Sequence, residues 1–149
     1  MMRRAARASL VVVLLLVASV GAQQDIEILS KDDAAQVFAL SKAQWRENLA
    51  AVVKAGLGTR AGDALTLKAP KGIVTTLPIY SQTDTRPSRL DITVEMERED
   101  AARFTDALIA DVMQHIRRQM EPEYLATGRA ERLAGGRMRF FFMLSEKRR

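Results

Sequence analysis

Residues 90–96 read LDITVEM, and this stretch decides the fold. Leu90, Ile92, Val94 and Met96 alternate with Asp91, Thr93 and Glu95, and Glu97 continues the polar set. Successive side chains of a strand point to opposite faces, so the pattern predicts a strand with one dry and one wet face. A mostly antiparallel sheet open to water on one side follows.

The period of two extends upstream. Residues 64–68 (ALTLK) put Leu65 and Leu67 on one side, and residues 69–72 (APKG) read as a turn. Residues 73–80 (IVTTLPIY) return, with Ile73, Thr75, Leu77 and Ile79 expected to point inward. Pro78 cannot donate to a ladder, so this strand is expected at an edge or to end there. Residues 81–88 (SQTDTRPS) are polar turn chemistry.

Further upstream the period becomes 3.6. Ser30 followed by Asp33 predicts a capped short helix over 32–39. Ser41-Lys42-Ala43-Gln44 matches the capping box that opens a second helix. Trp45, Leu49, Val52, Val53 and Gly56 form its apolar stripe, with Glu47, Asn48, Ala51 and Lys54 around the rest. Gly56 or Gly58 stops it, and 32–56 is also compatible with one kinked helix.

Downstream, residues 99–120 predict a long amphipathic helix. Ala101, Phe104, Leu108, Ile109, Val112, Ile116 and Met120 share one arc, and Arg103, Asp106, Asp111, Gln114, Arg117 and Arg118 the other. Glu99 and Asp100 at its start and Arg117 and Arg118 at its end complement the helix dipole. Residues 124–133 read either as a further helix or as a strand. We favour a hairpin with the aromatic strand 137–145 (RMRFFFMLS) through Ala134-Gly135-Gly136. That three-residue loop opposes Glu131 to Arg139, whereas a two-residue loop would oppose Arg132 to Arg139. The expected fold is therefore α+β, two-layer, in the order α-βββ-α-ββ, with two amphipathic helices on one face of the sheet.

The chain opens on a different signal. Residues 1–22 hold Arg3, Arg4 and Arg7 without an acid, then an apolar run over 10–17 (LVVVLLLV), then Val20-Gly21-Ala22. This is the pattern of a secretory signal peptide with cleavage after Ala22. The run from Leu10 to Ala22 falls short of the roughly 20 residues that span a bilayer, so no stable membrane insertion is expected after cleavage. Residues 23–149 are then one small domain, periplasmic or secreted, with no cysteine available for a disulfide.

The formal charge of +5 does not signal nucleic acid. Residues 23–127 hold 13 basic against 16 acidic side chains, and the excess lies in the leader and beyond residue 128. No nucleic-acid partner is expected, because such a partner needs a basic stripe on a folded face.

Candidates for chemistry are few. His115 is the only imidazole, with Asp111 one turn earlier, a pair able to act as a carboxylate-steered general base or simply as a helix-surface pair. A second histidine is missing for a shared metal, so no metal or other cofactor is expected. Asp91, Glu95 and Glu97 project from one strand face, where Arg137 and Arg139 are placed to balance them. Phe141 and Met143 carry more information. With Met138, Phe140, Phe142 and Leu144 in the core, these two large apolar side chains must face the wet side. Either a protein partner or second copy covers them, or the N-terminal arm of residues 24–29 folds over them. A sheet edge is the other candidate contact.

The expectation is an exported, non-catalytic binding or accessory protein of the cell envelope. The alternative is a small hydrolase or lyase built on His115 with Asp111 or the strand carboxylates.

Overall fold

The computed structural model describes residues 15–20, 24–69, 72–81 and 83–147. Most of the predicted leader, with its cleavage point, lies outside them. The described elements run β1 (Leu15–Val20), β2 (Gln24–Leu29), α1 (Lys31–Phe38), α2 (Lys42–Lys54), β3 (Thr59–Ala61), β4 (Ala64–Ala69), β5 (Gly72–Ile79), β6 (Arg89–Met96), α3 (Arg98–Ala101), α4 (Asp106–Met120), β7 (Tyr124–Arg132) and β8 (Met138–Glu146). β1 and β2 pair antiparallel with each other, and β1 lies beside α4. The other six strands form one open antiparallel sheet in the order β3-β4-β5-β6-β8-β7. This is an α+β fold. No described helix is long and apolar enough to cross a membrane.

Local sequence explains most of the boundaries. Ser30 accepts from the Asp33 amide and opens α1. Ser41 and Gln44 bond reciprocally and open α2, so residues 32–56 hold two helices rather than one kinked one. Leu90, Ile92, Val94 and Met96 are all buried, as their alternation requires. β7 is a strand, and the hairpin turns through Ala134–Gly136, with Gly135 at φ 78° supplying the left-handed conformation. Its register opposes Glu131 to Arg139.

Tertiary pairing overrides the local pattern at four places. β5 is turned over: Val74, Thr76 and Pro78 are buried, while Ile73, Thr75, Leu77 and Ile79 take the opposite face. The cause is registry on both sides, because Val74 opposes Leu67 and Val94, and Thr76 opposes Leu65 and Ile92. Pro78 opposes Leu90 beyond the start of β4, so only one neighbour is present where the ring nitrogen cannot donate. The predicted helix over 99–120 is broken between α3 and α4. Thr105 accepts from the Leu108 amide and starts a fresh helix, and Arg132 donates to the freed carbonyl of Phe104.

The third place is α2, which is rotated slightly, burying Asn48 fully and leaving Val53 39% exposed. Trp45 sets that rotation, since its indole is fully buried and donates to the Asp63 carbonyl at 2.8 Å. The fourth is the short strand β3, which precedes β4 and was not expected. The four described helices are thus the two capped ones expected before β3 and the two pieces of the helix expected over 99–120.

Buried side chains of α1, α2 and α4 share one core with the inner face of the sheet. Ala126, Gly128 and Ala130 oppose Leu144, Phe142 and Phe140 from β7. A methyl group at Gly128 would meet Phe142 Cδ1 at 2.7 Å and Met113 Sδ at 2.8 Å, so only glycine lets α4 pack this closely on β7. With the helical core on the inner face, the outer face is where the candidate site lies.

Candidate functional site on the outer face of the sheet

Antiparallel registry builds the outer face in rows that run across the strands. One row joins Lys68, Ile73, Glu95, Arg139 and Glu131. The next joins Thr66, Thr75, Thr93, Phe141 and Arg129. A third joins Leu77, Asp91, Met143 and Thr127. The face therefore runs from a charged end, past Phe141, to a mixed end where Leu77 and Met143 flank Asp91.

At the charged end the ion pairs interlock. Arg139 donates through Nε and Nη2 to Glu95, each at 3.2 Å, and through Nη1 to Glu131 at 3.3 Å. Arg137 donates to the other oxygen of Glu95 at 3.3 Å. The balancing of Glu95 by Arg137 and Arg139, expected from the strand pattern, is present. Asp91 instead pairs along its own strand with Arg89 at 2.7 Å. Arg129 lies over the Phe141 ring at 5.1 Å from its centroid, a cation–π contact.

These groups enclose a shallow depression of about 390 Å³. Its lining comes from four strands: Thr75 on β5, Thr93 and Glu95 on β6, Arg139 and Phe141 on β8, and Arg129 and Glu131 on β7. Thr75 and Thr66 share a hydrogen bond of 3.1 Å at its rim.

Phe141 and Met143 are half-buried on the side away from the core, as the alternation of β8 requires. Leu77 and Ile79 join them because β5 is turned over. Ile73 and Leu125 on the same face are 40% and 49% exposed. The N-terminal arm of residues 24–29 is β2, which belongs to the two-stranded sheet beside α4.

His115 is half-buried on α4, and Asp111 is exposed one turn earlier. No hydrogen bond or ion pair joins them among the described residues, and neither lines the outer-face depression. Phe141 was singled out from sequence. Arg129, Thr93 and Thr75 were not, because their convergence depends on registry between strands far apart in the chain. Among the described residues, no group of three or more acidic or imidazole side chains could hold a metal ion.

The chain matches no protein-family model, no curated protein and no solved structure.

Proposed function

We propose that the protein is an exported, non-catalytic binding protein of the cell envelope that takes its partner on the outer face of the sheet. The observation that carries this reading is the position of Phe141 and Met143. They share the side of the sheet opposite the core with Leu77, Ile79 and Leu125, around the Arg89–Asp91 ion pair. Apolar area of this kind beside a polar rim is the composition of an interaction surface.

Export is supported by the basic, apolar and small-residue order of residues 1–22. Cleavage after Ala22 removes β1 and leaves β2 at the head of a mature chain that is periplasmic or secreted.

Two measurements on the full 149-residue chain test the reading. The mass of the chain recovered from the cell envelope should correspond to residues 23–149, and an intact cytosolic chain would overturn export. A photo-crosslinker at position 143 should capture a partner or a second copy, and Phe141→Glu should abolish that capture with little change in Tm. Capture that survives Phe141→Glu would overturn the outer face as the contact surface.

A further inference from the structure

We infer that the depression beside Arg129 and Phe141 binds a small ligand through one oxyanion, a carboxylate or a phosphate group, held by the Arg129 guanidinium. This inference rests on the outer-face reading above and names the chemistry of the ligand.

Charge is the first argument. Glu95 accepts from both Arg137 and Arg139, and Glu131 accepts from Arg139, so both carboxylates at the charged end are engaged. Arg129 faces the same depression without a carboxylate partner among the described residues. The lining itself holds Arg129 and Arg139 against Glu95 and Glu131, and Arg137, outside the lining, also pairs with Glu95, so Arg129 is the guanidinium left over. A single oxyanion is matched to that surplus, and a polyanion would be repelled by Glu95 and Glu131.

Geometry is the second. Arg129 stands on the edge strand β7, yet it leans inward over Phe141 and toward the depression. The guanidinium donates to no described residue while it lies over the ring, and its planar fork suits the two oxygens of a carboxylate or phosphate. Holding the side chain there before binding reduces the entropy lost when a ligand arrives.

Thr93 supplies a further donor. It stands next to Phe141 in the same row, and its hydroxyl makes no hydrogen bond to another described residue. The volume of about 390 Å³ lies at the small end of the range for small-molecule sites. Phe141 and Met143 beside it offer an apolar platform for the ligand body.

The test is an NMR titration of the full chain with inorganic phosphate and, separately, with benzoate, following Arg129 Nε and the amides of Thr93 and Phe141. At least one anion should shift all three saturably. Arg129→Gln should weaken binding about ten- to a hundredfold, the loss of a charge-assisted hydrogen-bond pair. Glu131→Gln removes a carboxylate from the lining and should tighten binding of either anion. Binding of phosphate alone assigns a phosphate ligand, and benzoate alone a carboxylate with a flat apolar body. Binding of both assigns a general oxyanion site. Failure of both anions to shift Arg129, or equal affinity in Arg129→Gln, overturns the inference. Partner capture lost on Phe141→Glu alongside such a failure removes only the oxyanion chemistry. Capture indifferent to Phe141→Glu removes the outer-face reading itself.

Discussion

Glu131 and Arg139 stand opposite each other across the β7–β8 hairpin, their side chains 3.3 Å apart, and the same guanidinium reaches Glu95 on the strand beyond. Arg139 thereby links three neighbouring strands on the outer face. Arg139→Gln leaves two carboxylates across one strand and should cost about 1 kcal/mol, whereas Glu131→Gln should cost less than about 0.5 kcal/mol. Urea denaturation measures both, and equal costs would show that Arg139 is not shared.

Phe140 and Phe141 are chain neighbours with opposite fates. Phe140 is fully buried, in contact with Phe104 and Phe142, so Phe140→Ala should cost about 3–5 kcal/mol. Phe141→Glu removes a cation–π contact with Arg129 on the wet face and should cost about 1 kcal/mol. Thermal and urea unfolding of the two variants check the facing of β8, and a reversed order of costs would contradict it.

Gly128 and Gly135 are needed for different reasons. Gly128→Ala drives a methyl into Phe142 and Met113 and should cost about 1–3 kcal/mol by overpacking. Met113→Ala should recover part of that loss in a double-mutant cycle, because the thioether is the flexible one of the two obstacles. Gly135→Ala meets nothing within 4 Å, yet it forces a side chain to φ 78° and should cost about 1–2 kcal/mol with no coupling to Met113.

Two ion pairs make stability fall in acid. A hydrogen bond from Arg46 holds the Asp63 carboxyl below its ordinary 3.8, and one from Lys31 holds Glu123 below 4.5. Each contribution is present above the ordinary value and is lost as pH falls through the lowered one. Denaturant midpoints should therefore be level from neutral pH down to the carboxylate range and then decline. The Arg46→Gln, Lys31→Gln double variant should decline less steeply.

The alkaline limb belongs to the protein's two tyrosines. Burial, and to a smaller degree the charge of Asp63, pushes the Tyr80 phenol up from 10.0 to about 12, and burial raises Tyr124 as well. The neutral phenols favour the fold, so stability is full below 10.0 and declines as pH rises toward the raised value. Phenolate absorbance should lag that of free tyrosine and appear together with the loss of circular dichroism.

Much of the fold was legible in the residues because it depends on neighbours in the chain. The caps at Ser30 and Ser41, the facing of β6 and β8, and the three-residue turn opposing Glu131 to Arg139 each follow from a few adjacent positions. Thr105 followed by Asp106 was a readable helix start, masked by an apolar arc that runs on through Phe104. The facing of β5 was not readable: its odd positions are the more apolar set by side chain, yet its even positions point inward.

That reversal marks the division between what the sequence determined and what only the tertiary structure decided. Local periodicity and capping chemistry define where helices and strands form, since both act over a few residues. Which face β5 presents is set by registry with β4 and β6, and the outer surface gains Leu77 and Ile79 only through that choice. The meeting of Thr93, Phe141 and Arg129 has the same origin. Strands distant in the chain become neighbours at about 5 Å only when the whole sheet forms, and no local pattern encodes that spacing.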